Sequence, residues 1–291
     1  MSQQLLTFGN SLENLSQTDP ISFLSSMPNL RHYDWEISPS LKPPEPESSG
    51  LFVPTLNQMG YMTTHLDPYS LAFVDYASKI QGPVLEIGAA YGVATLAALS
   101  KGARIICNDL STEHLLCVQQ AAVCQHLDVS KLYLMPGDIR DSISLPAHFL
   151  NAILICRVLH FFSGPQIESF LAKAYQCLKP GAKIFIIAET PYLGFLSSFI
   201  SKYEKNVKLG LKWPGYIRNL KDYIADLHLP KMINSMDVFI LKRVLLQQGF
   251  LIEKIDFIDR SDFPEARRLD GRESVGVIAY KPIISTDSRC P

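Results

Sequence analysis

A glycine-rich turn is the first feature of this chain whose residue types and spacing favour ligand binding. It reads Gly88-Ala89-Ala90-Tyr91-Gly92 and follows the apolar run Val84–Ile87. Where a strand passes into a helix through such a turn, backbone N–H groups and the helix dipole converge on a ligand. The glycine spacing is not the one that cradles the pyrophosphate of a dinucleotide. Tight packing of small residues would also explain the turn, so its meaning depends on the residues around it.

Three carboxylates give the turn its chemical meaning. Glu86 lies inside the apolar run, and Asp109 lies 23 positions later, at the tip of a second apolar run. A carboxylate there can accept hydrogen bonds from both hydroxyls of an adenosine ribose. Asp138, in Pro136-Gly137-Asp138-Ile139, follows a third run. The carboxyl ends of successive parallel strands are where such a sheet binds ligands, so we expect these acids to face one nucleoside-like ligand.

Alternating strands and helices are needed to position these residues. Each predicted strand is a continuous apolar run, which is typical of a parallel sheet covered on both faces. Asp67-Pro68 predicts the first helix, because a capping residue is followed by a first-turn proline. The predicted strands are 84–87, 104–107, 131–135, 152–156, 183–188, 251–258 and 273–280, and the predicted helices are 67–81, 94–99, 112–126, 166–178 and 237–248.

The prediction is one doubly wound α/β domain with a mostly parallel seven-stranded sheet and helices on both faces. Residues 51–291 form this domain, and an insert of residues 190–236 follows the fifth strand. Residues 1–50 are rich in Ser, Asn, Gln and Pro, and residues 38–49 read SPSLKPPEPESS. Because such a stretch does not support regular hydrogen bonding, we expect a loosely ordered N-terminal arm.

Residues 84–189 resemble the cofactor-binding core of the class I, Rossmann-like S-adenosylmethionine-dependent methyltransferases. The run 84–92 is similar to the first family motif, and residues 107–111 resemble the ribose-binding end of the second strand. Residues 137–139 and 178–182 are similar to the adenine-side turn and to the turn before the fifth strand. The resemblance implies a transferase that binds S-adenosylmethionine and releases S-adenosylhomocysteine.

The same resemblance implies roles for single residues. Gly88 would approach the methionine moiety, Asp109 would hold the ribose, Asp138 would hold the adenine amino group, and Glu86 would order the loop. Ala90 stands where the family often has glycine, which is tolerable if its backbone angles are ordinary. The residues expected to bind the cofactor are Glu86, Gly88, Ala89, Ala90, Tyr91, Gly92, Asp109, Leu110, Asp138, Ile139, Arg157 and Tyr61, the last by folding over it.

A histidine follows the fourth strand, in the run Arg157-Val158-Leu159-His160-Phe161-Phe162. The region from Arg157 resembles the small-molecule O-methyltransferases, in which a histidine in a Leu-His-aromatic setting is a general base. A base that removes the acceptor's proton makes its oxygen more nucleophilic, and histidine suits this near neutral pH. His160 is therefore the candidate catalytic residue. A role in shaping the pocket or bonding the backbone stays open, since proximity and alignment often suffice for methyl transfer.

The insert has two segments with open interpretations. The apolar segment 191–200 predicts either a lid helix or an apolar wall for a hydrophobic substrate. The following stretch, 202–221, is basic and contains one acid, Glu204. A solvated lysine face, an anionic substrate, a membrane surface and RNA are all compatible with it. Its basic residues are Lys202, Lys205, Lys208, Lys212, Arg218 and Lys221.

Composition limits the function classes. The net charge is −1, which gives no overall attraction to nucleic acid or to an anionic membrane. The six cysteines form no CxxC pair, and the N-terminus lacks a signal-peptide pattern, so we expect reduced thiols and a cytoplasmic location. No apolar run approaches the roughly 18 residues of a membrane span, and no metal site is expected.

The sequence therefore predicts methyl transfer to a small organic acceptor, with oxygen favoured over nitrogen or carbon. A protein or RNA methyltransferase that uses the basic insert is the second interpretation. A cofactor-binding pseudoenzyme is the third. The oligomeric state stays open.

Overall fold

In the computed structural model, residues 41–140, 145–224 and 229–283 are described. The strands are β1 (Phe52–Pro54), β2 (Tyr61–Thr63), β3 (Val84–Ile87), β4 (Ile105–Asp109), β5 (Leu132–Pro136), β6 (Leu150–Cys156), β7 (Leu178–Glu189), β8 (Tyr216–Ile217), β9 (Ile233–Asn234), β10 (Leu251–Ile258) and β11 (Ser274–Tyr280). The helices are α1 (Pro68–Ala77), α2 (Val93–Ser100), α3 (Thr112–Cys124), α4 (Gly164–Cys177), α5 (Ile200–Lys208) and α6 (Val238–Gln247).

Seven strands form one sheet in the order β10-β11-β7-β6-β3-β4-β5. Strand β11 is antiparallel to both its neighbours, and the strands from β7 through β5 pair in parallel. The predicted doubly wound, mostly parallel seven-stranded sheet is confirmed. The strand order reverses between β3 and β6, and the carboxyl ends of strands at such a switch point border the ligand crevice.

The two faces of the sheet bury separate apolar clusters. One face packs against α4 and α6 through residues such as Leu171 and Leu245. The other packs against α1, α2 and α3 through residues such as Phe73, Ala98 and Leu115. Because every central strand is buried on both faces, the continuous apolar runs of the sequence follow directly from the architecture.

Capping residues begin the helices close to where the sequence places them. The carboxylate of Asp67 accepts hydrogen bonds from Tyr69 N and Ser70 N at the start of α1. Asp237 does the same at α6, where it accepts from two backbone N–H groups of the first turn. These bonds satisfy donors that a helix start otherwise leaves without a partner, so the polar residue fixes the boundary.

A small hairpin lies N-terminal to the first helix, where the sequence analysis placed no strand. Strands β1 and β2 pair antiparallel, with Phe52 opposite Thr63. Residues 41–50 form no helix or strand, and the rest of the predicted arm lies outside the described residues. The hairpin packs on the insert through Phe52, which shares a buried cluster with Leu193, Phe199 and Ile233. The hairpin and the insert therefore form a second layer above the carboxyl ends of the sheet.

Candidate active site

The larger cavity opens at the carboxyl ends of β3, β4, β5 and β6. Its empty volume is about 1140 Å³, measured out to its open mouth. The hairpin residues Tyr61 and Met62 lie on its wall opposite the glycine-rich turn. All but two of the residues predicted to bind the cofactor line it: Glu86, Gly88, Ala89, Ala90, Asp109, Leu110, Asp138, Ile139, Arg157 and Tyr61.

The glycine-rich turn needs left-handed backbone at three positions. The φ angles are +65° at Gly88, +47° at Ala90 and +74° at Gly92. A Cβ atom on Gly88 would stand 2.4 Å from Cγ2 of Val158, so only glycine fits there. The condition set for Ala90 in the sequence analysis is not met, because its φ lies in a region that residues with a Cβ rarely adopt.

Two predicted contact residues do not line the cavity. The Tyr91 side chain turns to the hairpin, where its hydroxyl donates to the Pro54 carbonyl at 2.8 Å. Gly92 is the N-cap of α2. A Cβ atom on Gly92 would stand 2.7 Å from Cγ2 of Val118. Both residues therefore support the turn from behind instead of facing the cavity.

The carboxylate of Asp109 is fixed by three donors. Ala90 N donates to Oδ2 at 2.8 Å, while Ser111 N and His114 Nδ1 each reach Oδ1 at 2.9 Å. The other ring nitrogen of His114, Nε2, accepts from Leu56 N at 3.0 Å, which places the ring proton on Nδ1. A carboxylate has about four acceptor positions, so Oδ2 retains room for a hydroxyl donor.

His114 is a candidate site residue that the sequence analysis missed. It is buried, it lines the larger cavity, and it connects the hairpin to the acid at the end of β4. Its position on α3, five residues after Asp109, is the signal that could have placed it near the carboxylate. Nothing in the sequence points to its second partner, because Leu56 is 58 positions away.

Glu86 is buried beneath the turn. Thr95 Oγ1, on α2, donates to its Oε2 at 2.5 Å. Burial raises the pKa of Glu86 to about 7, and the hydrogen bond from Thr95 only partly offsets this. The residue therefore connects β3 to α2 below the cavity floor and titrates near neutral pH.

Asp138 is paired with Arg140 at the rim of the cavity. Arg140 Nη2 lies 2.5 Å from Asp138 Oδ2, and Nε donates to the same carboxylate at 2.9 Å. This hydrogen bonding holds the pKa of Asp138 below its ordinary value. The guanidinium also lies 4.9 Å from the centre of the Phe162 ring. Arg140 is thus bonded to the carboxylate that was expected to bind the adenine amino group.

A smaller cavity of about 480 Å³ adjoins the larger one, and His160 lines it. Three residues belong to both walls: Tyr61, Arg157 and Phe161. Most of the remaining lining comes from the insert and from the loop after β10. It is largely aromatic or aliphatic, formed by Leu193, Phe195, Leu229, Ile233 and Phe263.

A buried ion pair lies where the two cavities meet. Arg157 Nε lies 2.6 Å from Glu189 Oε1, and Ser274 Oγ donates to Glu189 Oε2 at 3.1 Å. Burial by itself would raise the pKa of Glu189, but the neighbouring charges, chiefly that of Arg157, together with the hydrogen bond from Ser274 outweigh it and hold the pKa below its ordinary value. The backbone of Arg157 has a φ of +61°, which re-aims the chain after β6.

His160 is buried beside this pair. Its Nδ1 accepts from Glu189 N at 3.4 Å. Burial lowers the pKa of His160 to about 4, although Glu189 opposes the shift. The ring is therefore neutral at physiological pH, and the contact with Glu189 N leaves the ring proton on Nε2.

Residues 85–186 match the family model described as a methyltransferase domain. No curated protein matches the sequence. An S-adenosylmethionine-dependent methyltransferase from Methanosarcina mazei is 17% identical, with a TM-score of 0.56 over 75% of this chain and 99% of that one. One from Mesorhizobium loti is also 17% identical, with a TM-score of 0.53 over 74% and 96% of the two chains.

The matched stretch contains the glycine-rich turn and the acids of β3, β4 and the loop after β5. Residues 85–186 thus match a methyltransferase domain, and the fold is shared with S-adenosylmethionine-dependent methyltransferases. The solved structures, at such low identity, show the shared fold and leave the acceptor open. A glycopeptide N-methyltransferase complexed with sinefungin, 16% identical with a TM-score of 0.50 over 74% of this chain and 86% of that one, has the same fold.

The larger cavity of the methyltransferase fits S-adenosylmethionine. The space above Gly88 is kept open for a close approach, because a side chain there would meet Val158. The fixed carboxylate of Asp109 suits a pair of ribose hydroxyls, and the exposed side chain of Leu110 offers an apolar surface beside it. When bound, the cofactor supplies a methyl group activated on a sulfonium sulfur.

Proposed function

We propose that this methyltransferase transfers a methyl group to an oxygen of a small organic acceptor held in the smaller cavity. The observation that carries the proposal is the shared wall of Tyr61, Arg157 and Phe161 between the two cavities. An acceptor in one cavity would then face a methyl donor in the other, as direct displacement requires.

The lining of the smaller cavity supports an acceptor with an apolar or aromatic body. Four aromatic side chains and three aliphatic ones surround a few polar groups. Small-molecule sites commonly combine an apolar wall with a few polar groups that fix orientation. The polar groups here are Arg157, His160, Glu189 and Arg267.

In the larger cavity we propose that Asp109 holds the ribose, that Asp138 and Ile139 lie at the adenine, and that Gly88 allows the methionine part to approach the backbone. Binding of the adenine amino group by Asp138 requires that Arg140 give up part of its contact with that carboxylate. Tyr61 would cover the cofactor and exclude water, which strengthens charge interactions within the site.

We propose that His160 contacts the acceptor oxygen and acts on its proton. Its neutral ring meets one condition for a general base. The nitrogen that faces away from Glu189 carries the proton, however, so in this form it donates a hydrogen bond. Proton removal therefore requires that acceptor binding shift the ring proton to Nδ1, at the expense of the 3.4 Å contact with Glu189 N.

The variants His160→Gln and His160→Ala test this role. If His160 is a base, both variants lower kcat and flatten its rise with pH, and the affinity for S-adenosylmethionine stays unchanged. If His160 only orients the acceptor by donation, Gln retains most of the activity and the pH profile keeps its shape. Unchanged turnover in His160→Ala would overturn both forms of the proposal. Loss of a general base lowers the rate about a hundredfold or more.

The acceptor cavity has its own test, a screen of phenols, hydroxy acids and amines with an isotopically labelled methyl donor. Ile233→Phe narrows the smaller cavity, so it should lower kcat/KM for any acceptor found while cofactor affinity stays unchanged. Asp109→Ala is the complementary variant: it should abolish cofactor binding, measured by calorimetry, whereas Ile233→Phe should leave it unchanged. Methylation of proteins or RNA that Ile233→Phe leaves unaffected would favour a macromolecular acceptor, and cofactor binding without any transfer would favour a pseudoenzyme.

We also propose a cytoplasmic location. The cysteines among the described residues, Cys107, Cys117, Cys124, Cys156 and Cys177, are all free thiols. Persistently reduced cysteines are typical of a reducing compartment.

A further inference from the structure

The insert and the first turns of α6 present exposed apolar side chains among exposed lysines. Leu209 is 65% exposed, Leu211 is 49% exposed, and Phe239, in the first turn of α6, is 74% exposed. Exposed apolar side chains that lie together within a polar rim mark interaction surfaces. The basic-apolar surface is defined here as Lys205, Lys208, Leu209, Leu211, Phe239 and Lys242.

Two contacts hold the parts of this surface side by side. The hydroxyl of Tyr203, on the buried side of α5, donates to the Asp237 carboxylate at the start of α6, at 2.5 Å. Arg243, one helical turn after Phe239, donates to the Lys212 carbonyl at 2.5 Å and lies 5.4 Å from the centre of the Trp213 ring. The first turn of α6 is therefore fixed beside the end of α5 and the turn that follows it.

The lysines of the basic-apolar surface keep their charge available. No carboxylate of the described residues lies within ion-pair distance of Lys205, Lys208 or Lys242, whereas Lys212 pairs with Glu168 at 2.6 Å. The exposed acid on α5 is Glu204. A local positive field thus forms on a molecule whose net charge is −1.

We propose that the basic-apolar surface docks this protein on an anionic lipid membrane. The lysines would contact acidic headgroups, and Leu209, Leu211 and Phe239 would enter the interface between headgroups and acyl chains. Exposed leucines beside lysines favour lipid over nucleic acid, because phosphate contacts would use the lysines alone. In the part of the chain that the structure describes, no helix is long and apolar enough to cross a membrane, so the contact would be peripheral.

Vesicle sedimentation with the full chain tests this inference. The probes are vesicles of phosphatidylcholine alone and of phosphatidylcholine mixed with phosphatidylserine. We expect binding to the mixed vesicles that weakens with salt, and little binding to the neutral ones. The variant K205Q/K208Q/K242Q should lower the partition coefficient about a hundredfold, at about fivefold per lysine.

A second variant separates lipid docking from simple charge attraction. L209S/F239S removes apolar surface and leaves every lysine, so a docked protein should lose binding to mixed vesicles. The matched control L71S/K79Q changes an exposed leucine and an exposed lysine on the α1 side, and it should bind vesicles like the wild type. All variants should bind S-adenosylmethionine normally, which verifies their fold and keeps this test separate from that of the acceptor.

Three results would overturn the inference. Equal binding to neutral and mixed vesicles, or none to either, would remove the role of charge and lipid. Tight binding of an RNA oligonucleotide that L209S/F239S leaves intact would assign the surface to nucleic acid. A dimer in sedimentation velocity that L209S/F239S dissociates would assign it to a second copy of this chain.

Discussion

At Ala90 the backbone adopts a conformation that costs free energy for any residue with a Cβ atom. Its φ is +47°, between two glycines whose φ angles are also positive. The N–H group of Ala90 donates to Asp109, so this conformation orients a donor toward the acid at the end of β4. Local strain of this kind persists where the surrounding contacts over-determine it, and it concentrates at functional sites.

Ala90→Gly should therefore raise the free energy of unfolding by about 1 kcal/mol, because relief of the left-handed strain exceeds the added entropy of the unfolded chain. Chemical denaturation measures the change. The matched control is Ala89→Gly, at a neighbouring residue with ordinary φ, which should lower stability by a similar amount. Destabilisation by both substitutions would contradict the strain at Ala90.

Among the elements, the β1–β2 hairpin depends on α3 for its position above the cofactor cavity. Leu56 N donates to His114, and the hydroxyl of Tyr91 holds the Pro54 carbonyl. The Tyr91 and His114 rings also meet edge to face, with their centres 5.1 Å apart. The hairpin therefore contacts the same histidine that orients Asp109, so its closure and cofactor binding should support each other.

His114→Phe tests this coupling, since the ring volume is kept and both ring nitrogens are lost. We expect about tenfold weaker binding of S-adenosylmethionine, because Asp109 loses a hydrogen bond to its charged carboxylate. Amide exchange in the hairpin should become faster. Tyr91→Phe removes a hairpin bond without touching Asp109, so it should speed exchange with a smaller loss of affinity. Equal effects on affinity would mean that His114 acts on the hairpin alone.

For the whole molecule, two buried groups make opposite contributions to stability as pH changes. Glu86 has a pKa of about 7 in the folded protein against 4.5 for the free side chain, so folding takes up a proton between these values and stability falls as pH rises. His160 has a pKa of about 4 against 6.5, so the unfolded chain holds the extra proton and stability rises with pH. From about pH 4.5 to 6.5 the two contributions cancel.

Glu86→Gln should expose the contribution of His160. Relative to wild type, its free energy of unfolding should increase by about 3 kcal/mol between pH 4.5 and 7, from a shift of about 2.5 pKa units. His160→Gln should show the opposite slope between pH 4 and 6.5. Urea titrations across this range measure both. Parallel pH profiles for the three proteins would contradict the burial of these groups as neutral species.

The strands and the positions of the acids were predictable because they depend on local patterns. Apolar runs, capping residues such as Asp67, and the turn after Val84–Ile87 each occupy a few consecutive residues, and their outcome in the fold was confirmed. The strand near the C-terminus, β11, was predicted in the same way. Its antiparallel direction is seen only from its pairing with β7. The strand pattern alone did not give that direction.

The sequence by itself determined the fold, the glycine-rich turn and the positions of the acids at the ends of the strands, because hydrophobic periodicity and turn chemistry act over short stretches of chain. Tertiary structure decided which side chains meet across long separations. In the folded chain the hairpin lines the larger cavity, and Leu56 in the hairpin donates to His114. Arg157 pairs with Glu189, and His160 lines the smaller cavity. Such contacts depend on how elements pack in three dimensions, and no spacing along the chain encodes them.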